Sequence, residues 1–364
     1  MDHGGRLAID LAALADNYRT LAALAAPAET AAAVKGDGYG LGLSPVAAAL
    51  RGAGCRTFFV AHLGEAEALR RTCPDPDIAI HVLNGLLPGM APALAAIGAR
   101  PVLGSLAEID EWRAFAAASA APPAGIQIDT GFTRLGLGEG DLARLAAEPE
   151  RLSGIAIALV ISHLACADDP GHAMNAAQLD RFAGARAVFP DVPASLANSA
   201  GIRLGARYHL DMVRPGIALY GARAVLGVAN PMRPVVRLEV PIIQVRDASP
   251  GATAGYGATY RFHRPSRVAL VSIGYADGFL RALGTAGGRL FVAGHAAPIV
   301  GRVSMDVTAI DVTDIPQRHL ARGAPVEVIG PHQSIDDLAD AAGTIGYELL
   351  TRLGLRHTRV YSPA

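Results

Sequence analysis

Apolar and polar residues alternate along this chain in two textures, and the change between them falls near residue 233. Between Thr30 and Gly221, short apolar runs recur: AAAVK, TFFVAHL, IAIHVL, RPVLG, GIQID, IAIALVISHL, ASLANS and MVRPGIALYG. Continuous runs of this length, bounded by turn residues, predict buried strands. Longer segments with helical spacing lie between them, among them SPVAAALRGAG, GEAEALRR, PGMAPALAAIGA, SLAEIDEWRAFAAA and NAAQLDRFAGARAVF. Strands and helices alternating in this way predict βαβ units around a parallel sheet. About eight units in about 220 residues is the size of a (β/α)8 barrel, with an open doubly wound sheet as the alternative. After NPMRP at 230–234 the runs become β-branched and are punctuated by Gly and Pro, as in VVRLEVPIIQVRDA, SRVALVSIGYADG and APVEVIGP. Those runs predict a mainly-β domain. It is interrupted by one helix, SIDDLADAAG, with Ser334 as its N-cap. The expected architecture is α/β, a TIM-type (β/α)8 barrel over residues 1–233 followed by a mainly-β C-terminal domain over residues 234–364.

Composition narrows the function classes. Hydrophobic residues make 51% of the chain and charged ones 18%, a globular balance with no disordered signature. The net charge is −1 and the basic residues are scattered, which argues against nucleic-acid partners and against a basic membrane-binding patch. Cys55, Cys73 and Cys166 are too few and too dispersed for a disulfide framework or a paired-cysteine zinc site. The opening MDHGGRLAID has no basic region followed by an apolar core, so no signal peptide is expected. The run GIAIALVI at 154–161 is far below a membrane span. A cytoplasmic protein is expected, with no membrane and no metal.

One residue type is conspicuous by its rarity. Of the 32 Lys+Arg residues, 31 are arginine; the single lysine is Lys35, in AAAVKGDGYGLG. Arginine serves surface charge, ion pairing and phosphate contact at least as well, but it stays protonated and cannot attack a carbonyl. Lysine can, through Schiff-base chemistry. Active-site residues of a barrel sit where strands end and βα loops begin. Lys35 closes a strand-like run before a glycine loop, and other reactive side chains fall at equivalent places. Asp129, Thr130 and Arg134 follow one strand in GIQIDTGFTRLG, and His163 ends another in IALVISHLACAD. Ser199 in ASLANSAG, and Arg214, Gly216 and Ile217 in MVRPGIALYG, close two more. Each alone has an ordinary structural reading, such as a core histidine, a surface ion pair or a helix cap. GDGYGLG fits no register of the dinucleotide-binding fingerprint, and a P-loop carries its lysine after the glycines. No HExxH is present, and His163 with Cys166 supplies only two possible zinc ligands. A lysine amine, backbone amides with a serine for a phosphate, and an arginine for a ring nitrogen together describe a pyridoxal phosphate site.

These motifs resemble those of the alanine racemase family, the fold-type III pyridoxal phosphate enzymes. AVKGDGYGLG, DTGFTRLG, SHLACAD, ANSAG and MVRPGIALYG follow the family's barrel motifs in order, and AGYGATY, SIGYADGF, GRVSMDV and GYELLTRLG continue the match. The resemblance implies a pyridoxal phosphate-dependent isomerase interconverting L-alanine and D-alanine, supplying D-alanine for peptidoglycan. It implies Lys35 as the cofactor-bonded lysine and one catalytic base, and Tyr256 as the opposite base, supplied by the second subunit of a homodimer with shared active sites. Arg214 would face the pyridine nitrogen. Tyr39, Ser199, Gly216, Ile217 and, from the second subunit, Tyr347 would bind the phosphate, and Arg134 the phenolic oxygen. His163 would link Tyr256 and Arg214 by hydrogen bonds. Met305 and its neighbours, with Arg134, would receive the substrate carboxylate, and Tyr275 and Tyr347 would narrow the entry. A broader racemase for serine or lysine on the same scaffold is the alternative.

Two positions depart from the family pattern. Gln127 stands where a lysine, carbamylated in several members, is frequent, so Arg134 is expected to be held by a weaker acceptor than a charged group. Ser304 replaces a frequent cysteine at little change in size.

Overall fold

One strand closes the first region into a barrel. In the computed structural model, which describes residues 4–363, this strand divides into Glu29–Thr30 and Ala32–Ala33. Its first half pairs in parallel with Met212–Arg214 and its second half with Thr57–Val60. From there Thr57–Val60, Ala79–Val82, Arg100–Leu103, Ala124–Gln127, Ile157–Ile161, Ala194–Asn198 and Met212–Arg214 pair in chain order, every pair parallel. Bonds of 2.9 Å from Ala31 N to Val213 O and from Val34 N to Phe59 O seal the two flanks. The sheet has no free edge, which excludes the open doubly wound alternative.

The strands TFFV, AIHV and AGIQ are buried at every position. That is the mark of strands covered outside by helices and packed inside with side chains. Leu43–Gly52, Leu63–Thr72, Leu106–Ala118, Glu139–Ala147 and Met174–Ala185 are such helices. After the last two strands the connections shrink to short turns, including Gly201–Leu204 and Ile217–Tyr220.

Inside the barrel, Phe59 and His81 face each other across paired strands, their rings stacked 4.9 Å apart at 19°. The Arg214 guanidinium lies 5.8 Å from the Phe59 ring centre, and a Cβ on Gly125 would lie 3.6 Å from His81 Nδ1. Both contacts pass over an intervening strand, which only inward-pointing groups can do. His81 is 1% exposed and its Nδ1 has no hydrogen-bond partner among the described residues. Burial, then the charges of Arg100 and Arg214, bring its pKa down to about 3, so the ring is neutral.

The other unit comprises the N-terminal residues up to Ala13 together with Pro234 onward. This differs from the expected first domain of residues 1–233. Arg6–Asp10 pairs antiparallel with Val236–Ala248 and parallel with Thr358–Ser362, burying Leu7 and Ile9 completely. Nothing within RLAID specifies which sheet its backbone groups will meet. Val236–Ala248 also pairs with Ser266–Val271 and Pro325–Ile329, making it the hub of this mainly-β unit. Ser334 caps Ile335–Ala342 as expected, accepting from Asp337 N at 3.1 Å while Asp337 Oδ2 accepts from Ser334 N at 2.9 Å. A second helix, Gly346–Arg352, joins the one expected; its seven residues are too short to show a period in the sequence. No helix of the described residues is long and apolar enough to cross a membrane.

His81 makes the barrel sensitive to acid. It stays neutral in the fold down to about pH 3 but would protonate in the unfolded chain near its ordinary value of 6.5. Between those values the unfolded state binds the extra proton, so stability falls as pH falls. From pH 7 to pH 5 this contribution costs about 2 kcal/mol. His81→Phe, which keeps a ring against Phe59, should therefore lose about 2 kcal/mol less than the parent over that interval in urea unfolding. Equal losses in the two proteins would contradict the assignment.

Candidate active site

The glycine loop after the closing strand is wound left-handed. Gly36, Asp37, Gly38, Tyr39 and Gly40 have φ of 65°, 54°, 62°, 56° and 82°. Glycine adopts this region freely, whereas Asp37 and Tyr39 each bear a cost of about 1–2 kcal/mol. The result is to turn Tyr39 back over the barrel end, where its ring stacks on Tyr220 at 4.5 Å and 21°. Its hydroxyl then lies against Gly216, where any Cβ would run into it. Ser199 Oγ accepts the Gly216 and Ala218 amides at 2.8 and 3.3 Å, leaving its own proton to donate. Tyr39, Ser199, Gly216 and the buried Ile217 thus gather at the ends of the strands ending at Asn198 and Arg214 and the strand preceding Lys35.

Arg214 is buried, its Nη1 donating to Ser195 Oγ and its Nη2 to Ser162 O, each at 2.5 Å. Burial lowers its pKa to about 10, so it remains a cation at neutral pH. The expected hydrogen bond between Arg214 and His163 is not formed; those two guanidinium nitrogens are directed to the serines instead. His163 meets the edge of Phe132 at 5.6 Å and 77°. Burial, then Arg214, Arg134 and Lys35, bring its pKa down to about 3, which keeps it neutral. Lys35 is partly buried. Burial lowers the pKa of its amine first, Arg134 and Arg214 lower it further, and Glu65 opposes them.

Gln127 and Arg134 make no pair with each other. Gln127 Nε2 donates to Leu135 O at 3.0 Å, tying down the loop, while the Arg134 guanidinium rests 4.2 Å over the Phe132 ring. Asp129 Oδ1 gathers the amides of Gly131, Phe132 and Thr133 at 2.8–3.1 Å, so the loop carrying Arg134 is held from its own backbone. A support absent from the sequence reading is Gln178, wholly buried on the helix Met174–Ala185. It donates to Thr130 Oγ1 at 3.0 Å and His163 O at 2.8 Å, and accepts from Ala165 N at 2.8 Å. Thr130 in turn bonds Ser162 Oγ at 2.8 Å. A glutamine on an otherwise core-facing stripe was the available signal.

The remaining expected site residues lie in the mainly-β unit. Tyr256 is 70% exposed, on a short turn between Gly255 and Gly257 with φ of 73° and 76°. Tyr275 and Met305 belong to two loops laced together by Tyr275 N to Ser304 O at 3.1 Å and Ala276 N to Met305 O at 3.0 Å. Tyr347 is the second residue of Gly346–Arg352. Tyr256, Tyr275, Met305 and Tyr347 are all exposed large side chains of that unit.

Residues 9–224 match the family model described as alanine racemase, N-terminal domain, and residues 235–361 the one described as alanine racemase, C-terminal domain. A curated relative, alanine racemase of Methylobacterium sp. (strain 4-46), is 51% identical over 360 residues, covering 99% of this chain and 98% of its own. The catabolic alanine racemase of Agrobacterium fabrum is 48% identical, covering 98% and 92%. Among solved structures, alanine racemase from Bartonella henselae with covalently bound pyridoxal phosphate aligns with a TM-score of 0.94 at 40% identity over 99% of both chains. Biosynthetic alanine racemase from Pseudomonas aeruginosa aligns with a TM-score of 0.91 at 33% identity over 99% of this chain and 100% of that one.

Gly216→Ala tests the packing of the barrel end. The added methyl must displace the Tyr39 hydroxyl, so the variant should lose about 1–3 kcal/mol in denaturant unfolding. Unchanged stability would mean that the tyrosine has room to yield.

Proposed function

The chain belongs to the alanine racemase family, and from that premise we propose that it interconverts L-alanine and D-alanine with pyridoxal phosphate held on Lys35. The observation that carries the reading is the single lysine, partly buried, its amine made easier to deprotonate by burial, Arg134 and Arg214. The residues around it suit the cofactor. Gly216 keeps open a cradle that a Cβ would obstruct, and Ser199 and Tyr39 border it with hydroxyls. Arg134 and Arg214 add two positive charges, one suited to the phenolic oxygen and one to the ring nitrogen. When bound, pyridoxal phosphate supplies a carbonyl carbon for an amine and a ring that draws electrons from the substrate Cα.

Tyr39, Ser199, Gly216 and Ile217 would hold the phosphate, joined by Tyr347 of a second copy of the chain. Arg214, a cation at neutral pH, would face the ring nitrogen, and a positive neighbour there would disfavour a proton on that nitrogen. Arg134 holds the phenolic oxygen and, with Met305, orients the substrate carboxylate. Inversion at Cα needs proton donors on both faces, because one base alone returns its own proton. Lys35 Nζ serves one face. Tyr256 Oη of a second copy of the chain serves the other, and Tyr275 with Tyr347 narrows the approach of water and substrate. The exposure of Tyr256, Tyr275 and Met305 supports a homodimer, since large side chains left open on one unit are suited to a partner. All the relatives cited above are named for alanine.

L-alanine should yield D-alanine, and D-alanine L-alanine, at rates well above those with L-serine or L-lysine, as followed by chiral chromatography. A protein that binds the cofactor yet converts neither alanine would overturn the proposal. Lys35→Ala and Tyr256→Ala should each be inactive alone. Mixed in equal amounts under subunit exchange, they should regain up to about a quarter of parent activity, because half of the dimers then carry one intact site of two. No recovery after verified exchange would rule out shared sites.

A further inference from the structure

The left-handed turn after Lys35 needs an anchor. Within it, Gly38 N bonds Val34 O at 2.9 Å and Gly40 N bonds Gly36 O at 2.7 Å, while Asp37 Oδ1 accepts from Leu43 N at 2.8 Å. The amide next to the lysine, Gly36 N, points out of this ladder and donates to Glu65 Oε1 at 2.6 Å. The other oxygen, Oε2, accepts from Ala61 N at 2.7 Å and His62 N at 3.3 Å. Glu65 is the third residue of the helix Leu63–Thr72, whose first turn directs the carboxylate towards both loops. A single ionised group therefore ties the loop after the first barrel strand to the loop after the second. Amide bonds to a carboxylate are about twice as strong as neutral ones.

We propose that Glu65 is a positioning residue for the reaction, its carboxylate stapling the Lys35–Gly36 peptide to the Ala61–His62 turn so that the lysine amine is presented at a fixed place on the barrel rim. The proposal rests on Lys35 being the reacting amine, as set out above. Electrostatics support it. Of the charged groups acting on Lys35, Arg134 and Arg214 disfavour its protonated form, and Glu65 is the carboxylate that favours it. His163, also close enough to feel Lys35, is neutral. Glu65 thus counters two guanidinium groups while holding the backbone from which the amine projects.

The lone lysine makes the test direct. Labelling the full-length chain with ¹³C-lysine gives one side-chain ε-methylene resonance, whose pH titration after removal of the cofactor reports Lys35 alone. In Glu65→Gln the titration midpoint should move to lower pH, because the opposing negative charge is gone. In Glu65→Asp the charge remains but the shortened arm cannot reach both amides. Hydrogen exchange of the 34–42 segment should accelerate about tenfold or more in both variants, the loss of about one charge-assisted bond. Glu65→Gln should lower kcat for alanine by about tenfold while leaving KM nearly unchanged, since a small misplacement of a reacting group acts on the chemical step. A parent-like midpoint, parent-like exchange and unchanged kcat in Glu65→Gln would overturn the proposal. Should Glu65→Gln fail to fold, Glu65→Asp carries the exchange test, and parent-like exchange there would overturn it equally. The resonance and exchange readouts do not need racemisation, so failure of the alanine assay in the parent protein is a separate result.

Discussion

Ring closure by the strand at 29–33 is the constraint on which the barrel site depends. Its residues must satisfy two neighbours at once, pairing Glu29–Thr30 with Met212–Val213 and Ala32–Ala33 with Phe58–Phe59. The chain is consumed by that double pairing and emerges at Val34 and Lys35 on the rim. One flank brings Arg214, Gly216 and Ser199 alongside, because they follow or neighbour the strand on that side. The other flank brings Ala61, His62 and Glu65, which follow the strand on the opposite side. The lysine's place is therefore a consequence of parallel pairing around a closed sheet, not of contacts made by its own side chain.

The same closure concentrates positive charge. Arg214 enters the barrel and is accepted there because Ser195 Oγ and Ser162 O take its N–H groups. A buried cation is costly without such partners. Its charge, with that of Arg134, then depresses protonation of Lys35 and His163. Burial first, then neighbouring cations (Arg100 and Arg214 at His81, Arg214 and Arg134 at His163), keep both histidines neutral, so the cations of the mouth are not multiplied further. Behind them, Gln178, Thr130 and Ser162 form a satisfied buried network that holds the loop at His163. Such networks are rigid because each member left unpaired would be expensive.

The strand pattern and the ordered motifs made the barrel legible in advance, together with the placing of Lys35, Ser199, Arg214, Gly216 and Ile217 at strand ends. Apolar runs, capping signals and glycine punctuation are local quantities, readable from residues a few positions apart. The supports were less legible. Glu65 looks like an ordinary residue of a helix's first turn, and Gln178 is a lone glutamine on a core-facing stripe whose bonding partners cannot be read, because the partners of each lie far along the chain or in neighbouring loops. The support for Arg134 likewise depends on Phe132 turning its face to the guanidinium, which the loop geometry set by Asp129 decides.

The sequence by itself determined the alternation of strand and helix, the glycine loop, the uniqueness of Lys35 and the end of the barrel region near residue 233. These follow from periodicity, backbone permissiveness and the chemistry that lysine has and arginine lacks. Tertiary structure alone decided that Arg6–Asp10 joins the other sheet, that Arg214 bonds the serines rather than His163, and that Gln127 is spent on Leu135 O. Each is a choice among partners distant in sequence. Backbone and side-chain donors must find some acceptor when buried, and only the folded arrangement determines which one lies within reach.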